Sequence, residues 1–103
     1  MTKKRLADVA TQIRAKNAGP FWLTLDVFLP DAAAFAELLG KALTAEKVAA
    51  LYHVAAADVS IYPMADLNVV KISMPRPFVQ GSFEDRDMHS GQQHVPLMGL
   101  SWH

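Results

Sequence analysis

Leu6, Val9, Ala10 and Ile13 recur at i, i+3, i+4 and i+7, the single stripe of an amphipathic helix of roughly three turns. Asp8 near its start and Arg14 and Lys16 near its end suit the helix dipole. Asn17, Gly19 and Pro20 are the stop that such a helix calls for. The period then changes to two. Phe21, Leu23, Leu25 and Val27 fall on one face of an extended segment and Trp22, Thr24, Asp26 and Phe28 on the other. Large apolar groups on both faces predict a central strand from Phe21 to about Leu29, with Asp26 the odd polar residue.

Pro30-Asp31 opens a second helix, in which Asp31 caps the free N–H groups of Ala33 and Ala34 and Phe35, Leu38, Leu39 and Ala42 form the buried stripe. Thr44 caps a third, shorter helix with Val48, Ala49, Leu51 and Tyr52 on its apolar side. Residues 54–58 read as either a helix tail or a loop. Val59 and Ile61 alternate with Ser60 and Tyr62, a turn follows at Pro63-Met64-Ala65-Asp66, and a strand runs from Leu67 to Met74. The short turn predicts an antiparallel hairpin. A last strand is expected from Leu97 to Trp102.

A strand, two helices and a hairpin make up half of a split β-α-β unit, in which the third strand lies between the first and second. The predicted fold class is therefore α+β: a ferredoxin-like two-layer sandwich, with a mostly antiparallel four-stranded sheet and helices on one face. The 103 residues fit one domain. The segment Pro75 to Pro96 has no usable period. A compact domain rarely holds a loop of about 20 residues unless that loop is functional or disordered, so 75–96 is read as a long functional loop.

Composition narrows the classes. Ten basic residues balance ten acidic ones, which argues against a nucleic-acid partner and removes the self-repulsion that keeps copies apart. A 51% hydrophobic share in so short a chain leaves apolar surface for a partner, and a homo-oligomer is expected, with Trp102 and its strand as contributors. No cysteine is present, so thiolate chemistry and disulfides are excluded, which fits a cytoplasmic location. No apolar run is long enough to span a bilayer, and the N-terminus reads as a helix rather than a signal peptide.

The polar groups that carry chemistry gather in the loop. Arg76, held between Pro75 and Pro77, suits bidentate capture of a carboxylate or phosphate; it suits better a surface arginine or a clamp on Asp26 or Asp85. Glu84, Asp85 and Asp87 near His89 and His94 offer an acid–base pair or a metal site, but the spacing matches no metal signature and reads better as a solvated acidic turn. Gln92-Gln93-His94 can bind a polar ligand without a charge or satisfy the loop's own backbone. Gln80-Gly81-Ser82 can cup an anion or form an ordinary turn. Lys16 and Asn17 reach the same ligand if the loop folds back over the first strand; otherwise they only end the first helix. Ser82 or Ser90 with His94 and Asp85 supply the types for nucleophilic catalysis, without an elbow or oxyanion framework. No metal and no cofactor is expected.

Three strings, IRAKNAGPFWLTLDVF (13–28), VVKISMPRPFVQGSFEDRD (69–87) and GQQHVPL (91–97), together resemble a small uncharacterised bacterial family encoded beside, or fused to the C-terminus of, the larger AtuA-like proteins named for acyclic terpene utilisation. The resemblance covers nearly the whole chain. It implies a ferredoxin-type fold, an AtuA-like large subunit as partner, and a pathway of carboxylic acids or acyl-CoA thioesters. It carries no settled reaction and no catalytic residues. Joined to the residue reading, it gives the expectation of a small subunit of a hydratase- or lyase-type enzyme. Asp85 and His94 would move protons, and Lys16, Asn17, Arg76, Gln80, Gln92 and Gln93 would hold a small carboxylate or CoA-type ligand. A stand-alone enzyme and a non-catalytic binding or assembly module are the alternatives.

Overall fold

The computed structural model describes residues 3–19, 21–75 and 95–102. A two-residue strand β1 (Lys4–Arg5) leads into a single helical turn α1 (Leu6–Val9), and β2 (Gln12–Asn17) follows. The expected three-turn helix is therefore corrected to one turn and a strand. Its physical basis is weak: Arg5 supplies no side-chain cap, and a helix of that length gains little unless it buries a face. From Gln12 onward the same residues also alternate. Ile13 and Ala15 turn toward the core while Gln12, Arg14 and Lys16 face water. Backbone pairing with the next strand decides between the two periods.

That next strand, β3 (Trp22–Phe28), is central as expected, with Leu23, Leu25 and Val27 fully buried. Gly19, at φ 80° in the turn between β2 and β3, is where only glycine sits without strain. Helices α2 (Ala32–Lys41) and α3 (Ala45–Tyr52) start where the sequence places them. The Asp31 carboxylate accepts from the Ala34 N–H at 2.8 Å, and the Thr44 hydroxyl accepts from the Lys47 N–H at 3.2 Å. A 3₁₀ turn (Ala56–Asp58) precedes β4 (Ser60–Met64). A second one (Ala65–Leu67) joins it to β5 (Val69–Pro75).

The sheet order is β2-β3-β5-β4 and every neighbouring pair is antiparallel. The third strand of the split unit, β5, thus lies between the first and second, β3 and β4, as predicted. A ferredoxin-like sheet has its fourth strand beside the first; here β2, from the N-terminal side, takes that place. The helices pack on one face. Phe35, Leu38, Val48 and Tyr52 close over Leu23, Leu25, Val27, Val70, Ile72 and Met74 in one cluster, each fully buried aliphatic side chain contributing about 1.5–3 kcal/mol.

The expected last strand from Leu97 to Trp102 is also corrected. It is a turn, α4 (Val95–Met98), followed by β6 (Ser101–Trp102), which pairs with β1 and not with the main sheet. Leu97, Leu100 and Trp102 belong to the core. Trp102 is only 5% exposed, so it fastens the chain's own end and offers no surface for association.

Candidate functional site

Of the residues singled out for ligand binding, Lys16 and Asn17 lie within the described structure; Arg76, Gln80, Asp85, Gln92, Gln93 and His94 lie outside the described residues, as do Glu84, Asp87 and His89. Lys16 and Asn17 do not end a helix. They close β2, Lys16 exposed and Asn17 half-buried and engaged in an interaction of its own. Thr24 steadies this end by donating to the Lys16 carbonyl at 3.4 Å.

The register shows what surrounds them. Asn17 lies opposite Leu23, the Ala18 N–H donates to the Trp22 carbonyl at 2.9 Å, and Trp22 lies opposite Pro75. One strand, β3, therefore separates the end of β2 from the point where the chain leaves β5 at Pro75. With strands about 4.8 Å apart, the two ends are about 10 Å from each other. Lys16 and Asn17 are distant from Pro75 in sequence and lie at the same end of the sheet.

The outer face of the sheet, away from the helices, carries the other polar groups. Arg14, Asp26, Lys71 and Tyr62 form one row across all four strands. Asp26 pairs with neither cation: its Oδ1 is buried without a hydrogen-bond partner, and the ion pairs among the described residues are those of Lys4 and Lys41 with Glu37. Trp22 is 46% exposed and Tyr62 53% exposed on this same face.

On the helix side, an open groove of about 430 Å³ is lined by Lys4, Val9, Ala33, Ala34 and Glu37. The Lys4 ammonium holds the Glu37 carboxyl below the ordinary glutamate value, mainly through its hydrogen bond. Partial burial opposes this, and the charges of Lys4 and Lys41 reinforce it. The Trp102 indole N–H adds a smaller pull from nearby without reaching hydrogen-bond geometry. Sequence reasoning missed this cluster because its members come from β1, α2 and β6, and no spacing links them. A second hollow of about 210 Å³ lies among Ala7, Ala10, Thr11, Gln12, Ile13 and Met98 and holds no titratable group. Among the described residues no group of three or more His, Cys, Asp or Glu could hold a metal ion, and no helix is long and apolar enough to cross a membrane.

These features define a small α+β protein whose helices cover one sheet face and which brings Lys16 and Asn17 to the same end of the sheet as Pro75. The chain belongs to the family described as a domain of unknown function, DUF4387, whose profile matches residues 6–101. No curated protein and no solved structure matched the chain at significant similarity.

Proposed function

We propose that the chain is a small accessory subunit. It associates with itself and with an AtuA-like large protein, and the segment 75–96 completes that protein's site for a small carboxylic acid or acyl-CoA thioester. The reaction would be of the hydratase or lyase type and the setting cytoplasmic. The observation that carries the reading is the meeting of Lys16 and Asn17 with Pro75 across β3. It brings two of the three strings behind the resemblance to one end of a rigid sheet, a placement that suits binding groups. In this reading Lys16 and Asn17 hold the ligand's anionic group together with Arg76, Gln80, Gln92 and Gln93, and Asp85 and His94 move the proton.

The test is co-expression with an AtuA-like protein. A stoichiometric complex is expected, with hydration or cleavage of acyl-CoA thioesters that falls in Lys16→Ala and Asn17→Ala. Separate elution of the two proteins, with no effect of the chain on turnover, would sink the proposal. A second reading, a non-catalytic module that assembles with itself, is favoured by the exposed Trp22 and Tyr62 on the outer sheet face.

A further inference from the structure

The outer face of the sheet is a lattice of cross-strand rows, and its central row has an unusual order. Across β2, β3, β5 and β4 it reads Arg14, Asp26, Lys71, Tyr62. The two middle members have opposite charge and sit on the two middle strands. Yet they make no ion pair with each other, and Asp26 Oδ1 is covered and unpaired. Asp26 and Lys71 are therefore left without a partner charge among the described residues, and a surface that carries the opposite charges in the right places can supply both.

We infer that a second copy of this chain packs face to face on the outer surface of the sheet, about a two-fold axis that runs along the strands between β3 and β5. Such an axis exchanges the strands in pairs: β3 of one copy lies over β5 of the other, and β2 over β4. The rows stay level. Asp26 then stands over Lys71 of the second copy, and Lys71 over its Asp26, so the two middle charges are satisfied twice. Arg14 lies over Tyr62, a cation on an aromatic ring. The row Lys16, Thr24, Ser73, Ser60 maps so that the Lys16 ammonium meets the Ser60 hydroxyl, and Trp22 stacks on Pro75. Face-to-face sheets keep their strands within about 30° and lie about 10 Å apart, which suits these pairings.

The occupant is argued from charge. The row is self-complementary under this one operation, as an isologous interface requires. Edge pairing of β2 with a second β2 would instead bring Arg14 against Arg14, Lys16 or Gln12, because only residues of one face can pair, and that face of β2 carries no carboxylate to meet the cations. The inference gives a geometry to the self-association proposed above, and needs no large partner.

Two charge variants test it. In Asp26→Lys the new cation lies over Lys71 of the second copy, and in Lys71→Asp the new carboxylate lies over Asp26. Each variant repels its own kind, yet a mixed pair restores both attractions. By light scattering and native mass spectrometry the intact chain should be a dimer at micromolar concentration, twice its 11.3 kDa. Each variant alone should dissociate at least about tenfold more readily, and a one-to-one mixture should form the heterodimer. A monomeric intact chain overturns both this interface and self-association. A dimer that neither variant weakens, or variants that weaken but do not recombine, overturns this interface and leaves association through another surface.

Circular dichroism checks that both variants fold. If either does not, cross-linking decides: Lys16→Cys chains mixed with Ser60→Cys chains, in a protein with no other cysteine, should be joined as heteropairs by a bis-maleimide spanning about 10 Å. Absence of heteropairs, or homopairs in equal yield, overturns the interface.

Discussion

The Lys4 ammonium lies 2.8 Å from both carboxylate oxygens of Glu37, a residue 33 positions away on α2. The pair ties the two-stranded β1-β6 ribbon to the helical layer, and Lys41 approaches the same carboxylate at 3.9 Å one helical turn on. Because Glu37 is held below its ordinary value of 4.5, it favours the folded state while ionised. That contribution is complete above the unfolded value and is lost as pH falls from about 4.5 through the lower folded value. Glu37→Gln should remove the matching part of the acid destabilisation, read as a shallower fall in melting temperature between pH 6 and 3. Equal slopes for both proteins would contradict it.

A second prediction concerns the core. Leu25 and Ile72 are both fully buried and stand opposite each other on the two central strands. Leu25→Ala removes side-chain volume at a site with little room to collapse, and its cost should fall in the range of about 2.7–5 kcal/mol. Urea unfolding of the variant, with an unchanged slope and a lowered midpoint, checks this. A loss below about 1 kcal/mol would mean that the centre of the sheet is loosely packed.

His53 ends α3 in the left-handed region, at φ 58°, where a side chain is strained. A glycine there accepts the same conformation. His53→Gly should therefore stabilise the chain by about 1 kcal/mol, measured as a raised denaturation midpoint. Asn68 shares this conformation, at φ 53°, but asparagine tolerates it, so Asn68→Gly should change stability much less.

What the sequence could reveal follows the range of the interactions. The caps of α2 and α3 and the β4–β5 hairpin rest on residues within a few positions of each other; the caps form where the sequence puts them, and the hairpin forms with its turn moved from Pro63–Asp66 to Ala65–Leu67, because Pro63 and Met64 pair with Val70 and Val69. The stretch 6–17 fits two periods at once, because Ile13 belongs both to the helical stripe and to the alternation with Ala15. Only pairing with β3, a non-local event, selects the strand. The last strand was too short to carry a period, and Trp102 read as an exposed end because its contacts lie on β1 and α2. The site is legible in part for the same reason. Lys16 and Asn17 stood out as polar groups, but their nearness to Pro75 depends on β3 lying between β2 and β5.

Tyr52 anchors the return of the chain after segment 76–94. It is 3% exposed in the core, and its phenol lies close to the Leu97 backbone N–H of α4. Burial pushes the phenol well above its ordinary value of 10.0, with the Leu97 N–H acting weakly in the other direction. The folded state therefore holds the proton that the unfolded chain releases. Stability is complete below about pH 10 and falls as pH rises through the unfolded value. Tyr52→Phe should abolish this alkaline loss. At neutral pH it should cost about 1 kcal/mol, since a buried polar group leaves the contact with the Leu97 backbone. Hydrogen exchange locates the effect: the amides of residues 97–102 should exchange faster, while those of β3 and β5 stay protected. Because α4 is where the polar segment rejoins the core, the same substitution should weaken any ligand that this segment helps to hold. Unchanged exchange at 97–102 would show that β1 and β6 fasten the chain end without Tyr52.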